Sequence, residues 1–162
     1  MAELTNMETK VAEVIGLAQA AQGATEKVEK LVEDNALKQT LQRMRQEAVE
    51  TEERTTRVVE DFEGKKTAVL DKARETKHEA TEMMRTYLAN DADGLDGFEF
   101  LTMAEAGEAG HWEILGVLNE RARNAALGDV IQWATPIQQR HFEEARSGSL
   151  QRASEEDPNE PS

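Results

Sequence analysis

Apolar residues recur at steps of three and four along most of this 162-residue chain, and this spacing limits its fold more than any other feature. Such a spacing places the apolar side chains on one face of an α-helix. Strand signals are weak, since aromatic residues make up only 4% of the chain and β-branched runs are short. Two of the three prolines lie in the last five residues, where they interrupt no predicted helix. The chain is therefore predicted to be all-α, with its helices packed as an antiparallel bundle.

Turn-forming residues divide this pattern into five helices. The predicted ranges are 3–33, 36–62, 65–89, 98–123 and 129–149. Asn35 can cap the second helix. Thr135 and Pro136 predict either a kink in the fifth helix or the start of a new one. We expect one bundle over residues 1–149, followed by an acidic, disordered tail over 150–162.

The net charge of −14 limits the partners that the chain can bind. It disfavours nucleic acids and anionic membranes, because both attract lysine and arginine and repel an acidic surface. The absence of cysteine excludes disulfides, thiol catalysis and zinc–thiolate sites. The first residues, MAELTNMETK, lack the basic and apolar regions of a signal peptide, and no stretch approaches the roughly 18 apolar residues of a membrane span. We expect a cytoplasmic protein without a nucleic-acid or membrane partner.

Motifs for organic cofactors are missing from the chain. It has no dinucleotide fingerprint, phosphate-binding loop or nucleophile elbow, so we expect no organic cofactor and no hydrolase site of these types. The acidic segment NDADGLDG (90–97) has some of the character of a calcium loop. Thr102, however, stands where a 12-residue EF-hand loop requires its glutamate, which favours a solvated loop.

A histidine lies on the apolar face of the fourth predicted helix. That face consists of Phe100, Leu101, Ala104, Ile114, Leu115, Leu118 and Ala122. At about 100° per residue, His111 lies at its centre and Glu108 lies about 60° away. Gly107 and Gly110 flank them, although each glycine costs about 1 kcal/mol relative to alanine inside a helix. Close helix packing or space for a bound atom should offset that cost.

The fifth predicted helix repeats the pattern with a histidine of its own, His141. A turn near residue 125 would bring His111 and His141 to the same height, so we expect the two imidazoles to face each other. Folding the first two helices about their short connection likewise places Gln22 level with Glu47. The predicted inward layer consists of Gln22, Glu47, Glu50, Glu108, His111, His141 and Glu144.

The chemistry of this layer is that of a metal site. Iron and manganese bind carboxylates and neutral imidazoles, and a carboxylate can bridge two ions. A glutamate three residues before a histidine aims both side chains at one point, as in di-iron and di-manganese bundles. A network of protein groups alone stays open, because hydrogen bonds could also satisfy these side chains. Glu75 and His78 have the same spacing, but they lie on the more polar third helix and are predicted to be exposed.

Three short segments carry a resemblance to a known family. HWEILGVLNERARNAALG (111–128) leads from a His-aromatic-Glu-Ile segment to a Leu-Gly, EAVETEERTTRV (47–58) has Glu-Thr followed by arginine and an aliphatic residue, and FEEARSGSL (142–150) is acidic. They resemble the YciF/YciE-type proteins of the ferritin-like superfamily. The resemblance implies a ferritin-like four-helix bundle with an additional crossing helix over 65–89. It also implies a homodimer linked to stress responses, with a poorly defined activity.

The sequence departs from this family pattern at several positions. Gly110 replaces a glutamate, and Gln22 replaces a first-helix glutamate with a weaker ligand. Glu47 stands where a histidine is frequent, while His141 stands where a glutamate is usual. Since carboxylates and histidines are exchanged rather than lost, the resemblance still implies a metal site.

Two functions are therefore open from the sequence. The first is a ferritin-like protein that binds iron or manganese, with di-metal oxygen or peroxide chemistry or with iron handling as its activity. The second is a non-catalytic interaction or structural protein without a metal, whose acidic helices contact a partner.

Overall fold

The chain folds into five α-helices, which confirms the all-α prediction. The computed structural model describes residues 2–162, and no strand occurs among them. The helices are α1 (Asn6–Glu29), α2 (Asn35–Val59), α3 (Lys66–Tyr87), α4 (Gly94–Ala122) and α5 (Ala125–Ser154). In the described part of the chain, none of these helices has the length and apolarity needed to cross a membrane.

Capping residues explain where the helices begin. Thr5 and Glu8 form a capping box at the start of α1. Asp34 caps α2 by accepting a hydrogen bond from the backbone N–H of Leu37, so the predicted cap Asn35 is instead the first helical residue. Asp93 forms a second capping box, and α4 therefore begins within the segment that we predicted to be a loop.

The last helix is continuous and longer than predicted. Asn124 caps it, so Leu127 and Gly128, which we expected in a link, lie inside α5. Pro136 causes neither a break nor a new start, and it is exposed, which keeps the lost backbone hydrogen bond away from the core. The helix continues to Ser154, so the first part of the predicted tail, residues 150–154, is helical.

Neighbouring helices of the bundle run antiparallel, as predicted. Gln22 of α1 donates to Glu52 of α2, whereas Glu29, further along α1, accepts from Gln42, earlier on α2. The contacts of α2 with α5, of α4 with α5 and of α1 with α4 follow the same rule. The four helices α1, α2, α5 and α4 contact one another in that order and close into a ring.

The third helix packs on the outside of this ring. It lies along α1 and hardly touches α4. Lys65, just before α3, bonds Glu8 near the start of α1, and Lys27 near the end of α1 bonds the carbonyl of Leu88 after α3. The helices α1 and α3 therefore run parallel, and α2 and α4 run in the same direction with α3 between them in the chain.

The apolar core is divided into two clusters. One is built around Ile15, Trp112 and Leu127, and the other around Val28, Leu41 and Phe98. Between them along the helices lie the buried polar residues Thr51, Thr55, Glu105, Glu108, Gln138 and His141. A bundle that needed only stability would fill this level with apolar side chains, so the polar layer is where a function is expected.

Close packing of α1 against α3 depends on Gly16. A Cβ atom there would clash with the backbone carbonyl oxygen of Ala73 and lie 2.7 Å from the Cβ of Thr76. We expect Gly16→Ala to lower the free energy of unfolding by about 2 kcal/mol, since the backbones must separate. Gly23→Ala on the same helix is the control, because nothing lies within 4 Å of its added Cβ. It should raise stability by up to about 1 kcal/mol. Urea unfolding measures both, and equal effects of the two variants would contradict this packing.

Candidate functional site

Two helices supply the centre of the buried polar layer, each with residues three positions apart. Glu105 and Glu108 come from α4 and are 1% and 5% exposed. Gln138 and His141 come from α5, and each is 1% exposed. Residues three apart on a helix share a face, so both pairs point between the helices.

A single amide joins the two buried glutamates. Nε2 of Gln138 donates to Oε2 of Glu108 at 2.8 Å and to Oε2 of Glu105 at 3.1 Å. Nδ1 of His141 lies 3.7 Å from the same Oε2 of Glu105. No hydrogen bond within residues 2–162 uses the Oε1 atom of either glutamate. Each carboxylate therefore keeps one oxygen free for another partner.

A charged rim connects this centre with the surface between α2 and α5. Nε2 of His141 lies 3.4 Å from Oε1 of Glu47. Arg43 donates to Glu47 at 3.1 Å and to Glu144 at 2.6 Å, and Arg140 also pairs with Glu47. The two guanidinium groups hold both carboxylates at the edge of the layer and offset their charge.

The environment shifts the pKa values of two glutamates in opposite directions. Burial raises the pKa of Glu108 well above the ordinary glutamate value, and the negative charge of Glu105 adds to the rise, against the hydrogen bond from Gln138. Burial also acts to raise the pKa of Glu47. There, the hydrogen bond from Arg140 and the attraction of His141 outweigh it, so the pKa is lowered. The rim carboxylate is thus held ionised, and the inner one is driven towards its neutral form.

The structure brings four of the seven predicted layer residues into this network, namely Glu47, Glu108, His141 and Glu144. The other three lie elsewhere. Gln22 donates to Glu52 at 2.6 Å, and Glu50 is paired with Arg54 on the exposed side of α2.

The two histidines do not face each other, which corrects a central expectation. The side chain of His111 is 34% exposed, its Nδ1 bonds the carbonyl of Gly107 at 2.8 Å, and its Nε2 lies 3.4 Å from Glu13 of α1. Ile114, which we placed on the core face, is exposed, whereas Trp112 is buried. The helix is therefore rotated relative to the predicted face, and His111 points towards α1 rather than α5.

Sequence reasoning missed Glu105 and did not include Gln138 among the site residues. The buried stripe of α4 runs through Phe98, Leu101, Glu105, Glu108, Trp112 and Leu115 at alternating steps of three and four. Trp112 and Phe98 are its largest side chains, and choosing the face that buries both would have identified Glu105. Gln138 lies one turn before His141, the spacing that places both on one face.

Close packing does not account for the two glycines beside the site. A Cβ atom added at Gly107 or at Gly110 would meet nothing within 4 Å. Gly107 lines a cavity that adjoins Glu105 and Glu108. Gly107 therefore borders open space next to the site and does not contact a neighbouring helix.

The donor set is suited to a cation, although the side chains are not arranged around one. Two carboxylates and an imidazole converge within the core, and each glutamate has a free oxygen. Across residues 2–162, no group of three or more His, Cys, Asp or Glu side chains has the geometry to hold a metal ion as it stands. The amide of Gln138 occupies the position between the two glutamates that a cation would take.

Comparisons of the chain with protein-family models, with curated proteins and with solved structures found no match.

Replacing Glu108 by glutamine should stabilise chelator-treated protein near pH 8 and have little effect near pH 4. The pKa of Glu108 is raised on folding, so its stabilising contribution is complete below the ordinary glutamate pKa, about 4.3, and is lost as the pH rises through the folded value. Glutamine keeps an oxygen that accepts from Gln138 and carries no charge. We expect a gain of about 1 kcal/mol in the free energy of unfolding at the higher pH.

Urea unfolding at the two pH values measures this difference, with Glu99→Gln on the exposed side of α4 as the control. A Glu108→Gln effect that is the same at both pH values, or a loss of stability near pH 8, would contradict the assigned environment.

Proposed function

We propose that this protein is a ferritin-like helical bundle that binds iron or manganese in its buried polar layer. The residues proposed to hold the metal are Glu47, Glu105, Glu108 and His141. The observation that carries the proposal is the pair of glutamates, Glu105 and Glu108, buried side by side with an imidazole next to them.

The helix spacing supports this choice of ligands. In di-metal carboxylate bundles, two helices each supply a pair of ligands three residues apart, and the other two helices each supply a carboxylate. Here α4 supplies Glu105 and Glu108, α5 supplies His141 with Gln138 before it, and α2 supplies Glu47. Oxygen and imidazole donors of this kind suit iron and manganese.

The charge balance of the layer also supports a divalent ion. Two buried carboxylates repel each other, and burial of each charge costs several kcal/mol without a counter-charge. A proton on Glu108, whose pKa burial raises, can reduce this cost. A divalent ion that displaces this proton supplies two positive charges in its place and so offsets both carboxylates. Binding should therefore tighten as the pH rises.

The order of the helices supports the ferritin-like part of the proposal. Ferritin-like bundles have one long connection between two bundle helices that run in the same direction. In this chain α2 and α4 run in the same direction, and the connection between them contains α3. The activities proposed for such a centre are oxygen or peroxide chemistry or iron handling, linked to stress. A homodimer in the cytoplasm belongs to the same proposal.

A structural role without a metal is the second candidate. It is favoured by the hydrogen bonds that already satisfy much of the layer, with Gln138 between the glutamates and Arg43 and Arg140 on Glu47. In that case His141→Leu should keep or raise the stability of protein grown with metal. With a metal bound, the same variant should lose its metal and the stability that the metal supplies.

Metal binding is tested by elemental analysis of protein expressed in medium with added iron or manganese. We expect bound metal in the wild type, and an increase in melting temperature when Mn²⁺ or Fe²⁺ is added to chelator-treated protein. At a metal concentration about 100 times the Kd the gain is about 2.7 kcal/mol, or roughly 5–11 °C for a chain of this size.

Two substitutions of glutamate by glutamine provide a matched comparison. Glu105→Gln should abolish the increase in melting temperature, and Glu50→Gln should retain it, since Glu50 pairs with Arg54 outside the layer. Wild-type protein without bound metal and without a thermal shift would overturn the proposal and leave the structural role.

A further inference from the structure

An apolar cavity of about 260 Å³ lies between α1, α3 and α4. It exists because α3 packs along α1 and hardly touches α4, so a gap separates α3 from α4. The helix α1 lines the gap with small side chains, including Ala20, Ala21 and Ala24, so nothing from this side fills it. The volume is near the lower end of ligand-binding pockets, which indicates a small ligand.

The entrance of the cavity is unusually apolar for an exposed surface. Met83, Tyr87 and Met103 line it and are 57%, 55% and 49% exposed. Exposed apolar side chains that cluster around an opening are typical of binding sites. Methionine side chains are flexible and polarisable, so they can adapt to the shape of an alkyl or aryl group.

The charged groups that line the cavity are of one sign. Glu105 and Glu108 are in its lining, together with His111, and no lysine or arginine is. Both glutamates are at least nine-tenths buried, and the Oε1 atom of each makes no hydrogen bond within residues 2–162. A ligand in the cavity would therefore meet an apolar wall and two glutamates, each with one oxygen that bonds no other group of the protein.

This combination discriminates among ligand charges. An ammonium group would supply hydrogen bonds and a positive charge to the two carboxylates. A ligand carboxylate would be repelled by them, and a neutral alcohol would supply one weaker hydrogen bond. The net charge of −14 further favours the approach of cations.

We propose that the cavity binds a small apolar primary amine, with its hydrocarbon part against the apolar lining and its ammonium group at the free oxygens of Glu105 and Glu108. The proposal goes beyond metal binding and does not depend on it. It is therefore tested in protein from which metal has been removed with a chelator.

Octylamine, octanol and octanoate are suitable probes because they share one alkyl chain and differ in charge. Isothermal titration should show one octylamine per chain, bound at least about tenfold more tightly than octanol, as expected for charge-assisted hydrogen bonds. Octanoate should bind more weakly than both. Octanoate binding as tight as octylamine, or no octylamine binding, would overturn the proposal.

Five variants separate the charge from the shape of the cavity. Glu105→Gln and Glu108→Gln, singly and together, should weaken octylamine binding, by about tenfold in the double variant, and leave octanol within about threefold. Gly107→Leu should weaken both ligands, because Gly107 lines the cavity. Gly110→Leu, on the same helix and outside the lining, is the matched control and should change neither. Octylamine binding that survives the double glutamine substitution would place the amine elsewhere and overturn the proposal.

The same measurements distinguish failure of the amine proposal from failure of the metal proposal. Octylamine bound by chelator-treated protein that takes up no Mn²⁺ would support the amine site alone. Mn²⁺ bound by protein that takes up no octylamine would overturn the amine site and leave the metal proposal in place.

Discussion

The shared hydrogen bonds between Gln138 and the two buried glutamates are the interaction around which this bundle is organised. They cross from α5 to α4 at the level where the apolar core is interrupted. Above and below them, apolar clusters hold the helices together. At the layer itself, burial of two carboxylates opposes folding, and each polar contact reduces that cost without removing it. The stability of the two clusters is what allows an unfavourable layer to persist between them.

The layer differs on its two sides. Towards α2 it ends in arginine–carboxylate pairs, which hold Glu47 ionised. Towards α1 and α3 it ends in an apolar cavity whose lining contains no lysine or arginine. The inner glutamates lie between a rim of arginine–carboxylate pairs and an apolar space, so any group that neutralises them from the cavity side must be a cation. A metal ion and an organic ammonium group both meet this requirement.

Much of the fold was predictable from the sequence because helical periodicity is a local property. All five helices were predicted in order, and the antiparallel packing followed from short connections. The predicted helix ends were less accurate where a capping side chain sets the first residue, as Asp34 and Asp93 do. They were also less accurate where α5 continues through Pro136. A proline in a helix can break, bend or simply be tolerated on an exposed side, and only the packing of the neighbouring turns distinguishes these outcomes.

The site was harder to predict because it depends on helix rotation. His141, Glu47, Glu108 and Glu144 were assigned to the layer and do lie in one network, whereas His111 points towards α1. A different choice of face on α4 exchanges His111 for Glu105, and a sequence with many glutamates gives few clues to which one is buried. Trp112 was the available clue, because a side chain of that size rarely lies outside the core of a bundle.

Glu105 and Glu108, which are buried side by side, are proposed to bind a cation. The most direct measurement is anomalous diffraction from crystals grown with Mn²⁺, recorded at a wavelength where manganese scatters anomalously. A manganese peak within bonding distance of carboxylate oxygens of both glutamates is the expected result. Manganese only at surface carboxylates, with Gln138 still bonded to both glutamates, would contradict it.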